Sequence, residues 1–76
     1  MELTGDQVLK IRRIYRLSQK DVADLTGVSE AFICMIEKGK RKITPKVSGR
    51  LTDKLALNPD KVISLLEFYA QTEVVK

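Results

Sequence analysis

The sequence predicts an all-α fold, a compact bundle of five short helices. Helix-capping residues precede five segments of the chain, and apolar residues recur within those segments at the helical period of about 3.6 residues. No segment alternates apolar and polar residues as a half-buried strand would. Because the chain has 76 residues, we expect residues 1–76 to form a single domain.

The first three helices each begin after a hydroxyl side chain that can accept a hydrogen bond from the first helical turn. Thr4 precedes helix one, and Gln7 stands where it would complete a capping box. Ser18 precedes helix two with Asp21 in the equivalent place, and Ser29 precedes helix three. These residues fix where the three helices are expected to start.

Proline and glycine mark the other boundaries. Pro45 and Pro59 stand at the first position of helices four and five, where proline is favoured. Gly27 and Gly39 follow helices two and three and suit the left-handed conformation that often ends a helix. The predicted helices cover residues 5–16, 18–25, 29–38, 45–56 and 59–72.

The apolar stripes of these helices predict the core. Each stripe follows the spacing of three and four residues that puts side chains on one helix face. The expected core consists of Val8, Ile11, Ile14 or Tyr15, Leu17, Val22, Ala23, Val28, Ile33, Ile36, Val47, Leu51, Leu55, Leu57, Val62, Leu65 and Leu66.

Composition excludes several classes of function. The sequence has no histidine and a single cysteine, Cys34, so it offers no internal disulfide, no Cys/His zinc site and no histidine-based catalysis. No apolar run approaches the roughly 20 residues of a membrane-spanning helix. We therefore expect a cytoplasmic protein that is not an enzyme, with no metal, cofactor, membrane or small-molecule substrate.

The positive charge is concentrated in the middle of the chain. The net charge is +4, yet twelve basic and only five acidic residues lie between Lys10 and Lys54. Such a distribution favours a polyanionic partner, although these side chains could also simply solvate helix faces. The two dense clusters are Lys10, Arg12, Arg13, Arg16, Lys20 and Lys38, Lys40, Arg41, Lys42, Lys46.

Residues 18–38 have the pattern of two helices that cross steeply. Only Thr26, Gly27 and Val28 separate them, which is typical of a helix-turn-helix. Ala23 is small at the expected crossing, and Gly27 allows the turn a positive φ.

The spacing Gln19-x-x-Val22-Ala23-x-x-x-Gly27-Val28-Ser29-x-x-x-Ile33-x-x-Ile36-Glu37-x-Gly39-Lys40 closely resembles that of the phage repressor and Cro type (XRE-like) helix-turn-helix domain. The resemblance covers residues from about 5 to 66. It implies a lambda-repressor-like bundle of four or five helices. Most members of that family are bacterial, phage or mobile-element transcription regulators. Helix three, residues 29–38, would then enter the major groove of double-stranded DNA.

The resemblance also implies roles for individual positions. Arg12 and Glu37 match a pair that forms a buried salt bridge in some members. Base-facing positions correspond to Glu30, Ala31 and Met35. Positions beside the phosphate backbone correspond to Gln19, Lys20, Ser29, Phe32, Lys38, Lys40, Arg41, Lys42 and Lys46.

The outward face of helix three departs from the family pattern, because it has no Arg, Gln or Asn for a bidentate contact to a base. We therefore expect phosphate contacts to supply most of the affinity, with sequence specificity left open. The apolar residues of this face equally suit a protein-binding module, such as an anti-repressor or an accessory regulator.

Helix five carries apolar residues beyond the stripe that faces the core. In the family, a C-terminal helix often forms a two-fold dimer, so residues 59–72 are a candidate dimerisation element; a different protein partner is the competing interpretation. The expected homodimer interface consists of Ile63, Phe68, Ala70 and Val74.

Overall fold

The computed structural model describes residues 2–74, and the side chains of residues 2–72. This part of the chain contains five α-helices and no strand, which confirms the all-α prediction. Within it, no helix combines the length and the apolar character needed to cross a lipid bilayer. The helices are α1 (Gly5–Ile14), α2 (Gln19–Thr26), α3 (Glu30–Glu37), α4 (Pro45–Lys54) and α5 (Pro59–Val74).

The predicted helix starts are confirmed by reciprocal hydrogen bonds. The Thr4 hydroxyl accepts from the Gln7 N–H at 3.1 Å, while the Gln7 side chain accepts from the Thr4 N–H at 2.9 Å. In the same way, the Ser18 hydroxyl accepts from the Asp21 N–H at 3.0 Å and the Asp21 carboxylate accepts from the Ser18 N–H at 2.8 Å. Hydrogen bonding to Ser18 lowers the pKa of the Asp21 carboxyl; the backbone N–H of Ser18 has the larger effect and its hydroxyl the smaller one.

The predicted ends of helices one and four were wrong by two residues. Each helix ends in a Schellman motif, in which a residue in the left-handed region lets the next N–H bond back into the last turn. Arg16 has φ 58° and Ala56 has φ 51°. The Leu17 N–H donates to the Arg12 carbonyl at 2.7 Å, and the Leu57 N–H donates to the Thr52 carbonyl at 2.8 Å. Neither left-handed residue is glycine, so the sequence carried no mark of these ends.

The core has the predicted centre but a smaller extent. Val8, Ile11, Val22, Ala23, Ile33, Ile36, Val47, Leu51, Leu57 and Val62 are buried, as predicted. The other predicted members are only half-buried, because in a domain this small the ends of the stripes reach the surface. They are Ile14, Tyr15, Leu17, Val28, Leu55, Leu65 and Leu66.

Three buried residues were not among the predicted core, and two of them are polar. Leu3 is buried, and its N–H donates to the hydroxyl of buried Ser48 at 2.8 Å. The buried hydroxyl of Thr26 donates to the Val22 carbonyl at 2.7 Å. Since both hydroxyls have partners, burying them does not leave an unsatisfied polar group.

One close approach sets the position of α3. A Cβ placed on Gly5 would collide with the carbonyl group of Ile36. Only glycine therefore lets the first turn of α1 lie directly against the last turn of α3.

Replacing Ala56 by glycine should stabilise the protein. An alanine in the left-handed region costs about 1–2 kcal/mol of stability, and glycine removes this cost. Glycine also raises the conformational entropy of the unfolded chain, which offsets about 0.5–1 kcal/mol of the gain. We expect the free energy of unfolding of Ala56→Gly to rise by about 0.5–1 kcal/mol in urea denaturation.

The matched control is Ala70→Gly, which makes the same exchange at an exposed position within α5. It should lower the free energy of unfolding by about 0.5–1 kcal/mol. Destabilisation by both substitutions would contradict the role assigned to the left-handed residue.

Candidate nucleic-acid interface

The turn between α2 and α3 is held by backbone hydrogen bonds. Gly27 has φ 74°, and both the Gly27 and the Val28 N–H groups donate to the Ala23 carbonyl, at 2.8 and 3.1 Å. The Ser29 hydroxyl then accepts from the Phe32 N–H at 3.1 Å and starts α3. The two helices of the helix-turn-helix are thus connected with little freedom between them.

Arg50 supports the same turn from α4 and was missed by the sequence reasoning. Its Nη1 donates to the Thr26 carbonyl at 2.9 Å, at the C-terminal end of α2. A cation there also offsets the negative end of the helix dipole. A contact between residues 24 positions apart leaves no local pattern in the sequence.

The outward face of α3 has the predicted composition. Ile33 and Ile36 are fully buried, and successive helical residues are rotated by about 100°. Ala31 is therefore exposed on the opposite side and Met35 half-exposed there, while Glu30 is exposed at the edge of that side. Two of the three predicted base-facing residues, Ala31 and Met35, thus lie together, and Glu30 lies at their border, one helical turn before Cys34.

Most of the predicted phosphate-contacting cations surround the C-terminal end of α3. Lys38, Lys40, Arg41 and Lys42 are exposed in the segment that leads to α4, and Lys46 is exposed in the first turn of α4. We call these five residues the basic loop.

The basic loop is folded back onto α3. The Met35 carbonyl accepts hydrogen bonds from the Lys40 N–H at 2.9 Å and from the Arg41 N–H at 3.3 Å. Gly39 has φ 77°, which permits this turn. The loop backbone is therefore fixed relative to the outward face of α3.

The other predicted phosphate-contacting residues lie near the helix starts. Lys20 is exposed in α2 and pairs with Asp24 at 3.5 Å. Ser29 is exposed at the start of α3. Phe32 is half-buried and packs against the core, so only part of its ring is accessible.

Arg12 and Glu37 form a bidentate ion pair beneath this face. Nε of Arg12 lies 2.6 Å from Oε2 of Glu37, and Nη2 lies 2.9 Å from Oε1. The Glu37 side chain is 4% exposed and the Arg12 side chain 15%. Gln19 Nε2 also donates to Glu37 Oε1, at 3.0 Å. One carboxylate thus joins α1, α2 and α3.

The hydrogen bond to Glu37 limits the number of donors with which Gln19 can contact a phosphate. Its amide has two N–H donors, and one of them points to Glu37. The other donor remains at the start of α2, where the helix dipole favours an anion. The predicted phosphate contact of Gln19 would therefore use a side chain already oriented by the ion pair.

The first basic cluster does not form one continuous surface with the basic loop. Arg12 is held by Glu37, and Arg13 Nη1 donates to the Tyr69 hydroxyl of α5 at 3.0 Å. Lys10 lies 3.0 Å from Asp6 and 5.9 Å from the centre of the Tyr69 ring. Arg12 thus connects α1 to α3, Arg13 connects it to α5, and Lys10 contacts both α5 and the first turn of α1.

The predicted dimer face of α5 is exposed where the structure describes it. Ile63 is 57% exposed, and Ala70, seven residues further along, is exposed on the same side of the helix. Phe68 is also 57% exposed, but it is five residues from Ile63 and is therefore rotated from it by about 140° around α5. The Val74 side chain lies outside the described residues.

Glu37→Gln should destabilise the fold strongly. It leaves the Arg12 guanidinium largely buried without its counter-charge, which costs about 2–4 kcal/mol after allowance for its residual exposure. We expect a drop of that size in the free energy of unfolding, measured by urea denaturation.

The double variant Arg12→Met/Glu37→Leu serves as the control, because it removes both charges at similar volume. It should be more stable than Glu37→Gln alone. If the single variant lost less than about 1 kcal/mol, the ion pair would not hold the three helices together.

Comparison with known protein families agrees with this geometry. A family model described as Helix-turn-helix matches residues 8–68. No curated protein and no solved structure gives a significant match. Since the family match runs from α1 into α5 and includes both helices of the motif, the chain belongs to the XRE-type helix-turn-helix family of DNA-binding domains, to which Cro and repressor proteins belong.

Proposed function

We propose that this chain is a transcription regulator of the repressor type that acts on bacterial or phage DNA in the cytoplasm, without catalysis. Residues 29–38 would serve as the recognition helix in the major groove. One observation carries the proposal: the accessible face of α3 is followed directly by the exposed cations of the basic loop, and the backbone N–H groups of Lys38, Lys40 and Arg41 are hydrogen-bonded to carbonyls of α3.

The phosphate contacts would lie on both sides of the groove. The basic loop and the N-terminal end of α4 would contact one strand through Lys40, Arg41 and Lys46. Gln19 and Lys20, at the start of α2, would contact the other strand. Ser29 and Phe32 lie between these groups, beside the backbone at the edge of the groove.

The affinity would depend mainly on these phosphate contacts. Each phosphate neutralised by Lys or Arg releases condensed counterions, so binding weakens steeply as salt rises. A bidentate base contact adds about 1–3 kcal/mol of discrimination, and Glu30, Ala31 and Met35 cannot form one with a purine. The protein would therefore bind many sequences, with modest preferences among them.

A homodimer would raise both affinity and selectivity. Ile63 and Ala70 are seven residues apart and expose apolar surface on one side of α5, and a two-fold axis through this side would pair α5 with its copy. The two α3 helices would then contact half-sites about one helical turn of DNA apart.

A second candidate function is a protein-binding module, such as an anti-repressor. It is favoured by the exposed Ala31 and the half-exposed Phe32, Cys34 and Met35, which make the face apolar. A purified partner bound through Phe32 and Met35 in the absence of DNA would support it.

Removing three cations of the basic loop should lower the affinity for every DNA sequence alike. If about six phosphates are contacted, the logarithm of the binding constant should fall with the logarithm of salt at a slope near −5. In Lys40→Ala/Arg41→Ala/Lys42→Ala we expect the slope to flatten to about −2 to −3. Fluorescence anisotropy titrations at several salt concentrations measure both.

Lys54→Ala is the control, because Lys54 is exposed at the opposite end of α4. It removes one positive charge and should leave the slope unchanged. No DNA binding at low salt, or a salt-independent affinity, would overturn the proposed function.

A further inference from the structure

The outward face of α3 combines one carboxylate with an apolar surface. Ala31 and Met35 are four residues apart and so lie side by side along the helix, with half-exposed Cys34 next to them. Glu30 is exposed at the edge of this face, one helical turn before Cys34. The N-terminal residues of the second helix contact bases in a helix-turn-helix; Glu30 and Ala31 lie there, and Met35 lies one turn further along α3.

Among the described residues of this face, strong hydrogen-bond donors lie only at its two ends. The Ser29 hydroxyl accepts the Phe32 N–H in its capping role. Lys38 is seven residues beyond Ala31, which is about 10 Å along the helix, and its neighbours are the cations of the basic loop. The side chains between them present an acceptor, a methyl group, a thiol and a thioether.

This combination of groups is complementary to particular base edges. Guanine presents two acceptors in the major groove, and adenine presents its N7 acceptor beside its amino group; a carboxylate is repelled by such acceptors. Thymine presents a C5-methyl group, and cytosine presents an N4 donor. A cytosine methylated at C5 presents the methyl group and the donor side by side, which matches an apolar surface beside Glu30.

We propose that, given the DNA-binding function proposed above, α3 preferentially binds pyrimidine edges that carry a C5-methyl group. These are thymine and, above all, 5-methylcytosine. Glu30 accepts from cytosine N4 while the adjacent Ala31 buries the methyl group of that base, and Met35, one turn further along α3, buries the methyl group of a neighbouring base. Base-edge readout of this kind needs none of the Arg, Gln or Asn side chains that are absent from this face.

The phosphate contacts do not depend on this readout, and this allows a clean experiment. Adding or removing a C5-methyl group leaves the charge of the duplex unchanged, so the salt-dependent contribution to binding is the same. Burying one methyl group changes the binding constant by about fourfold. Several methyl contacts in one site multiply this factor.

The test begins with a random-sequence duplex pool enriched by repeated binding to the protein. The enriched duplexes are then prepared with ordinary bases, with 5-methylcytosine in place of cytosine, or with uracil in place of thymine. In competition titrations we expect 5-methylcytosine duplexes to bind best and uracil duplexes worst, with about a fourfold step for each contacted methyl group.

Two variants separate base readout from phosphate binding. Met35→Gln keeps the length of the side chain and replaces its apolar end with an amide, so the ratio of the affinities for 5-methylcytosine and uracil duplexes should fall by about fourfold, the contribution of one methyl contact. Lys40→Ala should weaken binding to all three duplexes and preserve their ratio.

The outcomes distinguish this proposal from the function on which it rests. Equal binding of the three duplexes, or tighter binding of the uracil form, overturns the methyl preference and leaves the DNA-binding function standing. Absence of binding to any duplex at low salt overturns both. If the ratio of the affinities for 5-methylcytosine and uracil duplexes is unchanged in Met35→Gln, the assignment of methyl recognition to this face of α3 is also contradicted.

Discussion

The buried carboxylate of Glu37 is the constraint on which the rest of the arrangement depends. It accepts two hydrogen bonds from Arg12 on α1 and one from Gln19 on α2, while its own backbone ends α3. A carboxylate that is 4% exposed is tolerated only while these donors neutralise and satisfy it. Because the donors come from two other helices, any shift of α3 relative to either one breaks a charge-assisted hydrogen bond. The orientation of α3 is thereby coupled to the start of α2.

Two further close contacts complete the positioning of the helix-turn-helix. Gly5 lets α1 lie against the last turn of α3, and Arg50 binds the carbonyl at the end of α2. A domain of this size has few fully buried side chains, so its core alone leaves some freedom to a helix of eight residues. Specific polar and steric contacts at the helix ends restrict the movements of α3 that the core alone would allow. The exposed face of α3 is thus presented by an element with little freedom to move, as the proposed base recognition would require.

The features that the sequence could predict are those encoded within one or two helical turns. The Thr4 and Ser18 caps connect residues three apart, and the face of α3 follows from periodicity. Contacts between distant residues, such as Arg50 with Thr26, leave no such signal. The left-handed conformation of Ala56 could not be predicted for another reason, because alanine usually continues a helix. For the candidate site, the residues on each face were predictable, but the orientation of Gln19 by Glu37 became evident only from the fold.

The charge distribution around α3 gives the proposed complex a preferred orientation. The C-terminal end of a helix has a partial negative charge, and Glu37 adds a full one; together they would repel a phosphate. Arg12 neutralises Glu37 from below, and the basic loop covers the same end with cations. At the start of α2, by contrast, the charge of Lys20 is partly balanced by Asp24. In the proposed complex the strongest attraction to a phosphate strand would therefore be at the C-terminal end of α3, which would leave its N-terminal half to the base edges. Glu30 would then be separated by the length of α3 from the strand that the basic loop contacts, and this separation would reduce the repulsion between its carboxylate and those phosphates.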